Sequence, residues 1–207
     1  MPDYHVSMET DGIYHIYSRA VGQEKLFKCE DNYRYFLTKY KLHIPPVADT
    51  FAWCLLPNHF HFLVKVKSID AIKSYYLAVK GKNNFSPEVV SDFIMERFSN
   101  WLNSYTKGFN KVYERKGSLF IDYMRRVRVH GDEQFSATIF YIHKNPVHHG
   151  LVKEVEDWKW SSYKSFFSKG ETCLQREKVL DMFQSIDGFA AFHRQAIHLK
   201  NAVVTED

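Results

Sequence analysis

Leu56-Pro57-Asn58-His59-Phe60-His61-Phe62-Leu63-Val64 decides the fold of this chain. Pro57-Asn58 is a turn signal, because proline presets φ and asparagine bonds its own backbone. Before the turn, residues 50–56 form an apolar run carrying Phe51, Trp53, Cys54, Leu55 and Leu56. After it, residues 59–67 alternate almost strictly. In a strand, positions i and i+2 share a face, so Phe60, Phe62, Val64 and Val66 form a core face. His59, His61, Lys65 and Lys67, with Leu63 among them, point the other way. The reading is a hairpin over about 50–67, with two imidazoles on the polar face of its second strand.

An isolated His-x-His is more often two residues on a solvated strand face than a metal site. Two imidazoles also do not fix a metal alone. A structural zinc site wants four ligands, commonly cysteines, and Cys29, Cys54 and Cys173 show no Cys-x-x-Cys spacing. The better fit is an open site completed by an oxygen ligand, water and a substrate phosphate, which suits Mg²⁺ or Mn²⁺.

Tyr141-Ile142-His143-Lys144-Asn145-Pro146-Val147 is the second informative stretch, ending at Gly150-Leu151-Val152. Residues 132–145 are expected to form a helix closed by Pro146, which a helix interior does not readily carry. Phe135, Ile139 and Ile142 make its apolar stripe. Gln134, Thr138, Tyr141 and Asn145 make a neighbouring polar stripe, so Tyr141 and Asn145 lie one turn apart on one face. If that face looks across at His59 and His61, the Asn145 amide oxygen can be a third metal ligand, with the Tyr141 phenol beside a metal-bound phosphate. The plain alternative is that Tyr141 packs and Asn145 caps the helix end.

A strand is expected at about 11–19 and a helix at about 31–44 with Tyr33, Phe36, Leu37 and Tyr40 as its stripe. A helical segment follows at about 69–80. Ser86-Pro87 signals the start of the clearest helix, as N-cap and first-turn proline, and Gly108 its end. A last strand is expected at about 120–129. Mixed strands and helices with a hairpin give an α+β class, an antiparallel sheet with packed helices. No Gly/Ser-rich linker divides the 207 residues. One domain over 1–170 with a helical insertion at about 68–108 is expected, then a helical appendage of unassigned role at 171–207.

The net charge of +4 is mildly basic, and aromatics are 16% of residues. Basic residues cluster at Lys80-Gly81-Lys82, Arg115-Lys116 and Arg125-Arg126-Val127-Arg128. Cations can track phosphates while aromatics stack on unpaired bases, although Arg125 and Arg128 cannot share one strand face. No secretory signal opens the chain, no apolar stretch reaches transmembrane length, and the scattered cysteines suit a reducing compartment. A cytoplasmic protein with no membrane association is expected.

The two stretches together resemble the IS200-like single-tyrosine transposases, most of all the branch associated with repeated extragenic palindromes. These are HUH nucleases, named for two histidines flanking a hydrophobic residue, here His59-Phe60-His61. Tyr14-His15-Ile16-Tyr17-Ser18-Arg19 resembles the family's first strand. Arg115-Lys116-Gly117-Ser118-Leu119-Phe120 resembles the segment before its last core strand, and Asp157-Trp158-Lys159-Trp160-Ser161-Ser162-Tyr163 its common ending. The resemblance covers roughly residues 10–165. It departs in a long stretch between the histidines and the tyrosine, and in His148-His149 where an arginine is expected.

The resemblance implies a ferredoxin-like, RNA-recognition-like core, with Tyr141 as nucleophile and His59, His61 and Asn145 as ligands of Mg²⁺ or Mn²⁺. Its DNA-contacting candidates are Arg19, Arg115, Lys116, Arg125, Arg126 and Arg128. It further implies cleavage and strand transfer on single-stranded or hairpin DNA through a 5′-phosphotyrosine and a free 3′-hydroxyl. A phenol of ordinary pKa is ionised in only about one molecule in a thousand at pH 7, so such a site must assist deprotonation, which nearby cations do. A domesticated nucleic-acid-binding protein, or a hydrolase using water, remains as the alternative. A homodimer is also open, since in some relatives two subunits share each active site.

Overall fold

The computed structural model describes residues 6–81, 85–121 and 124–195. Lys82 and residues 122–123 of the expected last strand lie outside that range, as do residues 196–207 of the expected appendage. Strands β1 (Ile13–Arg19), β2 (Ala48–Leu56), β3 (His59–Val66) and β4 (Arg125–Val129) form one sheet in the order β2-β3-β1-β4. Every neighbouring pair is antiparallel. The hairpin closes on Leu56 opposite His59, as the Pro57-Asn58 turn requires. One bulge between Thr50 and Ala52 interrupts the alternation in β2. It places Phe51 and Ala52 in one core cluster, while Ala48 stays in the other.

Helices α1 (Glu30–His43), α2 (Ile69–Lys80), α3 (Glu88–Val112) and α4 (Gly131–His148) follow in chain order. Strand, helix, two strands, helices and strand, in this strand order, make the ferredoxin-like core that the family resemblance implied. Helices α1 and α3 cover the Phe60/Phe62/Val64/Val66 face. Trp101 sits with its ring 5.1 Å from Phe60 and 5.4 Å from Phe62. Helix α4 crosses the opposite face, where Phe135, Ile139 and Ile142 pack with Ala52, Cys54 and Leu63. Both faces of the sheet are therefore covered. His59 and His61 lie on the face predicted, but that face is not solvated, and both imidazoles are buried.

Two expected stops are overrun. Helix α3 continues through Gly108 to Val112. A Cβ at 108 would come within 2.6 Å of the Tyr35 ring on α1, so this glycine permits close helix approach and does not end the helix. Helix α4 carries Pro146 inside its last turn. Its real stop is Gly150, at φ 65. There the Gly150 N–H donates to Val147 O at 3.0 Å and the Leu151 N–H to Pro146 O at 2.9 Å, a Schellman closure. The last strand is also shorter than expected, since β4 begins at Arg125.

The C-terminal residues join the α4 side of the core. Trp158 Nε1 donates to Leu55 O at 3.0 Å, and Gln175 N to Thr50 O at 2.9 Å, which covers the outer edge of β2. Helices α5 (Arg176–Met182) and α6 (Ile186–Arg194) follow, and Leu174, Val179 and Phe189 pack in the same cluster as Ile139 and Ile142. A buried polar chain ties these parts together. His143 Nδ1 lies 2.9 Å from His193 Nε2, and His143 Nε2 lies 2.8 Å from Ser162 Oγ. Ser162 Oγ accepts from Trp53 N at 2.9 Å. No helix among the described residues is long and apolar enough to cross a membrane.

Candidate active site

The register of β1 against β3 sets Tyr17 opposite His61 and Arg19 opposite His59. Period-two alternation then puts His15, Tyr17 and Arg19 on the same face as the two histidines. Strand β4 adds Arg125 opposite Tyr17. Helix α4 lies over this face and supplies the rest.

His59 Nε2 lies 3.2 Å from Asn145 Oδ1. The His59 and His61 rings are 5.2 Å apart and nearly perpendicular. The half-buried Tyr141 stands edge-on to His61 with ring centroids 5.5 Å apart. The polar stripe of α4 thus faces the paired imidazoles, and histidines, amide and phenol all come from one chain. Gln134, first in that stripe, instead caps the helix, accepting from His130 N at 2.8 Å.

Each imidazole also has a partner on its other nitrogen. His59 Nδ1 lies 2.8 Å from Asn58 Oδ1, and His61 Nδ1 lies 3.0 Å from His15 Nε2. Asn58 is itself held to β1, its carbonyl accepting from Ala20 N at 2.7 Å. The His15 ring is 5.9 Å from Tyr141, the Tyr17 ring stacks 5.7 Å from His61, and the exposed His149 ring lies 4.9 Å from His59.

No family model matches the sequence. A putative REP-associated tyrosine transposase of Haemophilus influenzae is 28% identical over 118 residues, 56% of this chain and 58% of that protein. The match thus spans under two thirds of that relative. Among solved structures, a REP-associated tyrosine transposase bound to a REP hairpin superposes with a TM-score of 0.57 and 16% identity, over 84% of this chain and 90% of that one. The chain is similar to the REP-associated tyrosine transposases in sequence and in fold. That bears out the resemblance carried by the histidine and tyrosine stretches.

The cations expected to contact DNA do not share one surface. Arg19 and Arg125 flank the Tyr141 face of the sheet. Arg126 and Arg128 belong to the opposite face, where Arg126 bonds Val6 O and Arg128 pairs with Glu9. Arg115 is committed to the scaffold. It donates to Glu24 at 2.8 Å, to Asn110 at 3.1 Å and to Ser118 O at 2.7 Å, and its guanidinium holds the Glu24 carboxyl below the usual range. Lys116 is exposed beside it.

His15, Tyr17, Asn58 and His149 are neighbours of the site that the motif reading missed. The first two carried a usable signal, since His15-x-Tyr17-x-Arg19 alternates as His59-x-His61 does. Placing them needs the pairing of β1 with β3, which is not local information.

Among the described residues no three or more histidine, cysteine or acidic side chains group as a metal cage. The donor set here is two imidazoles and an amide, and it fits a divalent cation on two counts. The 3.2 Å between His59 Nε2 and Asn145 Oδ1 is close to the about 3 Å between adjacent ligands of an octahedral ion with bonds of about 2.1 Å. With its proton on Nδ1 toward Asn58, His59 also turns a lone pair toward Oδ1, so two acceptors face each other. Asn145 Nδ2 meanwhile is buried with no hydrogen-bond partner among the described residues. A buried donor left so costs about 1–3 kcal/mol; a cation between Nε2 and Oδ1 would relieve the two facing acceptors, whereas a turned amide would instead let Nδ2 donate to His59 Nε2.

Proposed function

We propose that this chain is an enzyme that cleaves and rejoins single-stranded DNA, with Tyr141 as covalent nucleophile and a divalent cation at His59, His61 and Asn145. The observation that carries this reading is the meeting, in one chain, of Asn145 with His59 at 3.2 Å and of Tyr141 with His61 at 5.5 Å between ring centroids. The resemblance to the REP-associated tyrosine transposases supports the DNA-directed part. The hairpin named for the solved relative makes a hairpin-bearing single strand the first substrate to try.

Mg²⁺ or Mn²⁺ held there would withdraw charge from a non-bridging phosphate oxygen and fix the phosphate in place. Arg19 and Arg125 flank the same face and attract the DNA backbone. The Tyr141 oxygen forms a bond to the scissile phosphorus, the bond from phosphorus to the 3′-oxygen breaks, and that oxygen leaves as a 3′-hydroxyl after taking a proton. The phenol proton goes to solvent or to a base of the site. The resulting aryl phosphate diester keeps the phosphoryl group activated, so a DNA 3′-hydroxyl can later displace Tyr141 and regenerate the phenol. Because one chain supplies the whole constellation, a homodimer is not required to bring the tyrosine to the histidines.

The reading predicts Mn²⁺- or Mg²⁺-dependent cleavage of a hairpin-bearing oligonucleotide that His59→Ala and His61→Ala each abolish. Both side chains are buried, so circular dichroism must show the variants folded. Cleavage that persists in chelator, or in a folded His61→Ala protein, would count against the metal site.

A further inference from the structure

We infer that His15 is a positioning residue that holds the His61 proton on Nδ1 and so puts the lone pair of His61 on Nε2. This rests on the reading of His61 as a metal ligand, and it deepens that reading by naming what orients the ligand.

An imidazole binds a cation only through a nitrogen that carries no proton, and the partner of the other nitrogen decides which one that is. For His59 the partner is Asn58 Oδ1, an acceptor, at 2.8 Å from Nδ1. For His61 the atom in the same role is His15 Nε2, at 3.0 Å from Nδ1. An imidazole can accept or donate. If His15 Nε2 donated, His61 would have its lone pair on Nδ1 and its proton on Nε2, the wrong tautomer for a ligand on that side. If His15 Nε2 accepts, both members of the pair are alike, each with a proton on Nδ1 and a lone pair on Nε2.

The surroundings fix the contact. His15 is 1% exposed and His61 fully buried, so solvent does not compete for the bond. The two side chains project from neighbouring antiparallel strands, with His15 diagonal to His61 because Tyr17 is directly opposite it. The rings are stacked 5.1 Å apart, and Tyr141 stands edge-on to both, 5.9 Å from His15 and 5.5 Å from His61. One small displacement of His15 would therefore move both the ligand and the nucleophile. An imidazole is also a neutral acceptor. A carboxylate, the common alternative in this role, would set a negative charge behind a site meant for an anionic phosphodiester.

Two measurements on the full chain test this. Long-range ¹⁵N–¹H spectra of the metal-free protein report the tautomer of His61 without any cation. Titration with Mn²⁺, followed by the paramagnetic resonance of the free ion, reports affinity without any DNA. Wild type is expected to show His61 protonated on Nδ1. His15→Ala should lose that preference and weaken Mn²⁺ binding by about ten- to a hundredfold. His15→Gln, whose amide oxygen stands where Nε2 was, should restore both.

A wild-type His61 protonated on Nε2 overturns the inference. So does a folded His15→Ala protein with unchanged tautomer and unchanged Mn²⁺ affinity. If His15→Ala does not fold, a His15→Gln protein with His61 protonated on Nε2 overturns it equally. If Mn²⁺ binding is indifferent to His59→Ala and His61→Ala, the metal site falls, and the tautomer alone decides the role of His15.

Discussion

The buried pair His143–His193 should make this protein lose stability in mild acid, and the loss should be traceable to one imidazole. His193 is almost fully buried; its Nδ1 donates to Phe189 O at 2.8 Å, and its Nε2 lies 2.9 Å from His143 Nδ1. Burial opposes its charged form and holds its pKa down to about 4, from an ordinary 6.5. Burial, then the neighbouring His193, likewise pushes His143 well below 6.5.

Both groups are thus neutral when folded and ordinary when unfolded. Their stabilising contribution is complete above pH 6.5. It is lost as pH falls through 6.5, because the unfolded chain takes up protons that the folded chain refuses. For His193 the loss between about pH 7.5 and about pH 5 is about 2 kcal/mol, and it levels off near its folded value of about 4. His143 adds to it in the same direction.

The assay is urea unfolding at both pH values, for wild type and for His193→Gln. A glutamine can still donate to Phe189 O and accept from His143, but it does not titrate. The variant should show a smaller loss of stability over that interval by about 2 kcal/mol or somewhat more, because groups remote from residue 193 cancel and His143, relieved of the neighbouring imidazole, is depressed less. Equal pH dependence in the two proteins would mean that His193 charges as readily folded as unfolded, and that burial does not hold it neutral.

Three further expectations concern the site and the scaffold. Arg125→Ala should weaken binding of single-stranded DNA and flatten its log–log salt dependence by about 0.7 per lost phosphate contact, whereas Arg128→Ala, on the opposite face, should leave both unchanged in a filter-binding titration. Asn145→Ala removes the amide oxygen facing His59, so Mn²⁺ affinity measured by calorimetry should fall while the helix, closed at Gly150, keeps its dichroism. Gly108→Val would drive a branched side chain into the Tyr35 ring and should cost about 1–3 kcal/mol, read as a lower urea midpoint.

What the sequence disclosed was local and periodic. The alternation after Pro57-Asn58 placed β3 and its histidines on one face, and the two stripes of α4 placed Tyr141 beside Asn145. The same alternation misjudged the environment of that face. A strand with histidines and lysines on one side reads as half-solvated, yet α4 covers it, and β3 is buried at every position but Lys65. Gly108 and Pro146 misled for a related reason. A glycine that admits a neighbouring helix and a glycine that ends its own helix look alike in sequence, and a proline in a last turn sacrifices only one helical bond. His15 was hidden because its meaning depends on which strand lies beside β1. The segment after residue 170 has helices too short to show a stripe, and its apolar residues gain a partner only once β2 and α4 are assembled.

The proposed chemistry requires that Tyr141 become covalently attached to DNA. End-labelled, hairpin-bearing single-stranded oligonucleotide is incubated with the protein and Mn²⁺, and the products are run on a denaturing gel. Wild type should give a labelled protein–DNA species that is missing from Tyr141→Phe, while that variant, which lacks only a hydroxyl, still folds, binds Mn²⁺ and binds DNA. An adduct that persists in Tyr141→Phe would move the nucleophile to another residue, and wild-type cleavage that never yields an adduct would make water the nucleophile and the protein a hydrolase.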